Sequence, residues 1–236
     1  MDIQQQIEQY APTPEALELV RSAKIVLLVG IAGAGKDSIK KELLKKSIFQ
    51  DIVSHTTRLP RSNNGVAEIK DIDYHFISSD TAASMVANQD FIEAKFVHGT
   101  VYGTSYTEVK NAYEAGKIAI TDIDVQGVDE YKKVSQGVRA IFILPPSYQV
   151  WRQRLQKRYT TTGEFESEWP KRRKSAIKEL THALEVPYYH FVVNDELARV
   201  VEEASEIAHD KDSLHHEDSQ ARQVAREVLA EIQASN

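Results

Sequence analysis

The chain has 236 residues, 42% of them hydrophobic and 27% charged, proportions that exclude a disordered chain and imply a folded, water-soluble one. Its formal net charge of -6 argues against broad attraction to nucleic acid or anionic membrane, so an anionic ligand must be met by local positive charge. Cysteine is absent, which excludes disulfides, thiol catalysis and thiolate metal sites; no apolar run approaches the ~20 residues of a spanning helix and the start of the chain lacks a signal peptide's basic and apolar stretches, so the expected location is the cytoplasm.

Residues 1–22 are polar and interrupted by Pro12 and Pro14, an expected N-terminal extension in which a threonine cap and a proline at the first position predict a short helix from Thr13 to Arg21. Ile25-Val26-Leu27-Leu28-Val29 is a continuous aliphatic run, the mark of a strand buried on both faces of a parallel sheet. A glycine-rich turn follows, then a helix from Ser38 to Lys46 with Ile39, Leu43 and Leu44 on one face. Short strands are predicted at Asp51–Ser54, Tyr74–Ile77, Lys117–Asp122, Ala140–Leu144 and Phe191–Val193. Helices are predicted at Ser79–Asn88, Tyr106–Ala115, Gln126–Val134, Ser147–Arg158, Pro170–Leu184 and Asp195–Ala208. This alternation implies right-handed crossovers onto a mostly parallel sheet.

Thr160 to Trp169 has no apolar periodicity, carries Gly163 and several carboxylates, and sits between basic helices; a mobile lid is expected there, at about 159–171. The tail, 209–236, is charged, with a narrow apolar stripe of Val224, Val228, Leu229 and Ile232 that either docks or stays free. His209, His215 and His216 lack helical pairing with a carboxylate and read as solvated rather than as metal ligands, and Trp151 and Trp169 read as packing residues.

Gly30-Ile31-Ala32-Gly33-Ala34-Gly35-Lys36 satisfies G-x-x-x-x-G-K, directly after a buried strand and directly before a helix. Glycines let the backbone curl so that its N–H groups point inward, the helix start adds a positive dipole end, and Lys36 supplies a full charge for β- and γ-phosphates. Gly30, Gly33, Ala34, Gly35, Lys36, Asp37 and Ser38 are therefore the expected ATP-binding loop. Where the motif wants a hydroxyl for Mg²⁺ the chain has Asp37, followed by Ser38. Asp37 is either an anionic metal ligand, a charge that repels phosphate, or an outward carboxylate at a helix N-terminus. The strand ending at Asp122 offers a second carboxylate at a sheet edge, with Asp124 just after it; either one faces the site or caps the next helix.

Ser54-His55-Thr56-Thr57-Arg58-Leu59-Pro60-Arg61, Asp73-Tyr74-His75-Phe76, Phe91-Ile92-Glu93, Tyr102-Gly103-Thr104-Ser105 and Asp122-Ile123-Asp124-Val125-Gln126-Gly127 follow in order, with Pro145-Pro146-Ser147 and Asn194-Asp195 later. Together with the phosphate loop, they resemble the successive signatures of guanylate kinases over roughly residues 24 to 203. The resemblance implies a P-loop α/β fold with three layers, a mostly parallel central sheet, a small GMP-binding insertion at about 54–105 and a lid, all within a domain at 23–208. It implies transfer of a phosphate from ATP to GMP with Mg²⁺, small-molecule nucleotides as partners, and no nucleic acid or membrane.

In that resemblance Arg58, Arg61, Tyr74 and Tyr102 cradle the GMP phosphate, and forked guanidinium groups with neutral hydroxyl donors suit a dianion. Glu93 matches the carboxylate that reads guanine N1–H and N2–H₂, with Ser54 and Thr104 beside the base. Asp122 and Asp124 fall near substrate and metal, Asp37 and Asp122 being the expected metal ligands. Arg158 and Arg172 resemble the lid arginines, with Arg154 and Arg173 as alternatives one turn or one residue away; with Lys36 and Arg61 they are the expected catalytic set. Asn194 and Asp195 match the contact to the donor adenine, and Asn194 alternatively reads as a helix cap. Two other readings compete: a catalytically impaired guanylate kinase-like binding module, which Asp37 favours and the otherwise intact loop opposes, and a kinase for another small phosphorylated acceptor, for which Glu93, Ser54 and Thr104 have no use.

Overall fold

The computed structural model describes residues 2–63, 66–97, 99–209 and 218–235. His215 and His216 lie outside the described residues, as does the stretch 210–217 of the expected tail. In chain order the elements are α1 (Ile3–Glu8), α2 (Pro14–Ser22), β1 (Ile25–Val29), α3 (Lys36–Leu43), β2 (Phe49–Asp51), β3 (His55–Thr56), β4 (Ser62–Asn63), β5 (Val66–Ala67), β6 (His75–Phe76), α4 (Ser79–Ala87), β7 (Phe91–Val97), β8 (Thr100–Ser105), α5 (Tyr106–Glu114), β9 (Ile118–Asp122), α6 (Val125–Val134), β10 (Arg139–Leu144), α7 (Tyr148–Gln156), α8 (Thr162–Glu185), β11 (Tyr189–Val193), α9 (Leu197–His209) and α10 (Ser219–Ala234). No helix of the described residues is long and apolar enough to cross a membrane.

The expected α/β class holds. Five strands are ordered β11-β10-β1-β9-β2, and the β1–β10, β10–β11 and β2–β9 pairs are parallel. All five residues of β1 are buried, as an uninterrupted Ile-Val-Leu-Leu-Val run requires in a sheet covered on both faces. A second sheet, β6-β3-β8-β7, is mostly antiparallel, and β4 and β5 form a small antiparallel pair.

By its packing the chain divides into two compact units, one of Met1–Ile25, Ser47–Thr121 and Asp129–Val138, the other of Val26–Lys46, Asp122–Val128 and Arg139–Asn236. The first holds the second sheet and a small core in which Ile7, Ala82, Val86, Phe91 and Val101 pack together, with Ile3 and Tyr10 against them. The N-terminal segment is thus part of this core. Its helix α2 starts as expected, Thr13 Oγ1 accepting from Ala16 N–H with proline at the first turn, a cap worth roughly 1 kcal/mol.

The second unit holds β1, β10, β11 and the phosphate loop. Here the structure departs from the sequence reading. The stretch 160–169 is not an irregular connection: α8 starts at Thr162, well before the expected Pro170, and Pro170 lies inside it. A reciprocal capping box between Thr161 and Glu164 fixes this start. Two aromatic residues one turn apart, Phe165 and Trp169, bury the extra turns; Trp169 packs on Phe165 and Trp151 at 5.5 and 5.4 Å between ring centroids.

The apolar stripe of the tail docks as α10, burying Val228 and Ile232 with Ala225. Arg173 on α8 donates from Nε to Ile232 O (2.9 Å) and from Nη2 to Gln233 O (2.8 Å), satisfying carbonyls at the α10 C-terminus. At its other end Asp218 Oδ2 accepts from Phe191 N–H of the sheet-edge strand β11, and Arg222 Nη2 donates to Tyr189 O. The paired strands β7 and β8 have no counterpart in the sequence reading either. β8, Thr-Val-Tyr-Gly-Thr-Ser, is mostly polar and carries a glycine, which weakens the alternation that strand prediction uses.

Candidate active site

In the second unit β1 delivers the chain into the glycine-rich loop and α3 takes it out. Gly35 caps α3 in the left-handed region (φ 101°), and a Cβ there would collide with the Asn194 amide nitrogen, so only glycine fits. Asn194 is buried, and its Nδ2 donates to Ala34 O (2.8 Å). That side chain is therefore tied to the loop rather than capping the following helix, and the Asn194 main-chain carbonyl accepts from Arg154 Nη2 (3.0 Å). Trp151 Nε1 donates to Ala32 O (2.7 Å), a second tie on the loop backbone. Lys36 Nζ donates to Gly30 O (2.6 Å) and closes the turn across its mouth.

Asp37, Asp122, Asp124 and Asp195 of this unit each have a cationic or backbone partner. Lys40 Nζ lies 3.2 Å from Asp122 Oδ1, and Asp124 Oδ1 accepts from Gly127 N–H (2.8 Å) in the first turn of α6. Asp37 is exposed and lies 3.8 Å from Arg158 Nη2, an exposed pair that adds little stability. Asp195 binds Arg199, whose hydrogen bonds hold its carboxyl below the usual range. On α8, Arg172 Nε donates to Tyr159 Oη (3.0 Å), whereas Arg173 turns to α10.

Sequence reasoning passed over Glu179, one face of α8 down from Arg172. It accepts from Ser175 Oγ (2.6 Å), and burial pushes its carboxyl up despite the nearby Lys36 and Arg172, with Asp124 adding to the rise. The Arg172, Ser175, Glu179 spacing, a helical i, i+3, i+7 set, was the available signal.

In the first unit the cationic end is built around Arg58. Its guanidinium makes a forked pair with Glu68, Nη1 to Oε2 at 2.6 Å and Nη2 to Oε1 at 2.9 Å, and lies 5.1 Å from the Tyr74 ring centroid. Hydrogen bonding to Glu68 and, more weakly, Tyr102 strengthens its hold on the proton, against the opposing effect of burial. Burial works upward on Glu68, but the bonds from Arg58 and from Arg61 N–H (2.7 Å) prevail and its carboxyl lies below the usual range. Tyr74 and Tyr102 stand edge to face at 6.1 Å. The Arg61 side chain is exposed. Glu68, a further omission of the sequence reading, is one of several acids in its loop, and only the fold singles it out.

Of the residues expected to meet the base, Glu93 lies on β7 and Thr104 on β8. Glu93 is buried, and its Oε1 accepts from Thr104 Oγ1 (2.8 Å), so a carboxylate and a hydroxyl stand side by side. Fully buried Tyr131 stands beside them, and burial, with Glu93, pushes its proton affinity up against a weaker opposing effect of the Thr104 hydroxyl. Ser54 precedes β3, its carbonyl accepting from His75 N–H (2.9 Å). Arg58, Tyr74, Tyr102, Glu93, Thr104 and Ser54 thus share one unit, and Lys36, Asp37, Asp122, Asp124, Arg158, Arg172, Asn194 and Asp195 share the other.

The family model for guanylate kinase matches residues 22–211. The chain belongs to the guanylate kinase family. Among similar proteins, the guanylate kinase of Clostridium perfringens is 38% identical over 186 residues, 78% of this chain and 81% of that protein. The guanylate kinase of Pseudomonas fluorescens is 36% identical over 171 residues, 72% and 79% respectively. A crystal structure of guanylate kinase from Anaplasma phagocytophilum shares the fold, with a TM-score of 0.58 at 24% identity, covering 80% of this chain and 86% of that one.

For a member of the guanylate kinase family, the donor set bears on magnesium. Among the described residues no group of three or more His, Asp or Glu side chains could hold a metal ion. Mg²⁺ keeps several waters and binds through one or two carboxylates plus substrate phosphates, so Asp37 and Asp122 beside the loop fit an ion that arrives with a nucleotide rather than a protein cage.

Proposed function

We propose that this guanylate kinase family member moves the γ-phosphate of ATP onto GMP, giving ADP and GDP, in the cytoplasm. The observation that carries the reading is the buried Glu93–Thr104 pair, because a desolvated carboxylate with a hydroxyl beside it suits the N1–H and N2–H₂ edge of guanine and leaves adenine unmatched. Arg58, Arg61, Tyr74 and Tyr102 take the acceptor phosphate, and Ser54 supports the base. For Arg58 this means that the dianion shares or displaces Glu68, a carboxylate that keeps the fork oriented beforehand.

On the donor side the loop amides from Gly30 to Lys36, with Ser38, hold the triphosphate, and Asn194 and Asp195 lie toward its adenine. Lys36, Arg61, Arg158 and Arg172 neutralise the charge spread over the moving phosphoryl oxygens. Asp37 and Asp122 would hold Mg²⁺ through its waters, Asp124 standing near, and the ion supplies charge neutralisation across the phosphates. Asp37 turns toward the metal in this reading and gives up its weak contact with Arg158. No general base is assigned, since the acceptor phosphate is already ionised near neutral pH.

The test is ADP release with GMP, AMP, CMP and UMP over a range of Mg²⁺, with Asp37→Ser alongside. Release with GMP alone is expected. Release with AMP and not GMP would end the guanine assignment, and silence with all four, restored by the serine, would mark a decayed enzyme.

A further inference from the structure

The guanylate kinase match begins at residue 22, yet a hydroxyl from before that point is bonded into the strand that carries Glu93. Tyr10 Oη donates to Phe91 O (2.5 Å) and accepts from Phe91 N–H (3.0 Å), engaging both polar groups of one peptide residue. Its ring packs edge to face on Phe91 at 6.5 Å. The segment is further tied down by Gln89 Nε2, which donates to Ala11 O (2.8 Å), and by Ile7 in the core.

Phe91 is where the β7–β8 ladder slips. Phe91 faces Ser105 and Glu93 faces Thr104, so two steps on β7 meet one step on β8. In a regular ladder Phe91 and Glu93 would share a face, and the neighbours Ser105 and Thr104 would not. The extra residue changes that phase, and it is what puts the Glu93 carboxylate on the side of Thr104, where the two bond at 2.8 Å. Gly103 presses from across the ladder: a Cβ there would stand 2.8 Å from the Phe91 ring and 2.9 Å from Glu93 O. A bulge loosens ladder hydrogen bonding, and Tyr10 supplies a donor and an acceptor at that spot.

We propose that Tyr10 is a positioning residue for guanine recognition: the N-terminal segment clamps the Phe91 bulge and thereby holds Glu93 in the register that reads the base. The inference rests on the assignment of Glu93 to guanine given above. Tyr10→Phe keeps the ring and removes the hydroxyl. The hydroxyl makes two hydrogen bonds, and losing each corresponds to a roughly fivefold effect, so the GMP KM rises about fivefold or more while kcat and the ATP KM stay unchanged. The preference for GMP over IMP, which lacks the 2-amino group, falls in parallel, and amide exchange at Phe91 accelerates.

Ile7→Val trims the packing of the same segment and keeps the clamp; it lowers thermal stability and leaves the GMP KM alone. Two results overturn the proposal: a Tyr10→Phe enzyme with wild-type GMP KM and GMP/IMP ratio, or an Ile7→Val enzyme that shifts KM as much as Tyr10→Phe does. Wild-type protein that does not use GMP at all overturns the Glu93 assignment instead, and the proposal with it. Should Tyr10→Phe fail to fold, Gln89→Ala, which releases the segment at Ala11 alone, takes its place, and an unchanged Phe91 exchange rate and GMP KM in that variant likewise overturn the proposal.

Discussion

Next to Ser54 and Tyr74 in the chain, two histidine rings lie 4.5 Å apart, His55 on β3 and His75 on β6. His75 is held by Asp71 at 2.8 Å and Glu108 at 3.4 Å, whereas His55 Nδ1 is buried with no hydrogen-bond partner among the described residues. Burial, and then the neighbouring His75, push the His55 imidazole down to about 4, with Asp71 acting weakly the other way. Its folded value lies below the unfolded one, so between pH 6.5 and 4 the unfolded chain takes up a proton that the folded chain refuses, and stability falls as the medium is acidified. The Asp71 carboxyl, lowered chiefly by His75, adds its loss only below that window. Thermal unfolding from pH 7 to 4.5 should show a falling midpoint, and His55→Gln should flatten the slope. Single residues whose chemistry is carried by charge and order, such as Lys36, Arg58 and Glu93, were legible in the sequence. Glu68, Glu179 and Tyr10 were not, because what distinguishes them is a neighbour far away in the chain.

Among the elements, α8 teaches most about the limits of pattern reading. Its first turns carry only two apolar residues and a proline, too little periodicity to declare a helix, and the capping box at Thr161 and Glu164 is visible only once the start is suspected. The neighbouring arginines it presents have opposite fates. Arg173 serves two carbonyls at the end of α10, while Arg172 bonds to Tyr159. Arg173→Met should therefore lower stability by about 1–3 kcal/mol, the range for charge-assisted hydrogen bonds, without changing turnover. Arg172→Met should leave the melting temperature nearly unchanged and cut kcat by about a hundredfold or more, as expected for a group that meets charge only in the transition state. Calorimetry and steady-state rates on the two variants check both statements, and equal kinetic losses would erase the distinction. The β7–β8 pair escaped for the complementary reason: a bulge breaks the period-two pattern at the very place where the carboxylate is aimed.

At the scale of the whole molecule, the parallel sheet was legible because β1 is an unbroken aliphatic run and β9 and β10 are largely apolar, of the sort that a doubly covered sheet hides. The division into two units was not, since each is assembled from segments that alternate along the chain. It has a measurable counterpart. GMP alone should slow hydrogen exchange in the unit of Arg58 and Glu93, and an ATP analogue with Mg²⁺ in the unit of the loop, each adding about 2.7 kcal/mol at a hundredfold excess over its Kd. Protection that appears in the opposite units would contradict the assignment of the two nucleotides.

The side chains of Asp218 and Arg222 occupy main-chain groups of Phe191 and Tyr189 along the margin of β11. A bare margin invites a second molecule to stitch its own backbone on and grow into ordered aggregates. Here the docking sites for such stitching are already taken by the returning C-terminal helix. Crowding or prolonged storage would have to pull that helix away before fibrils could start from this side.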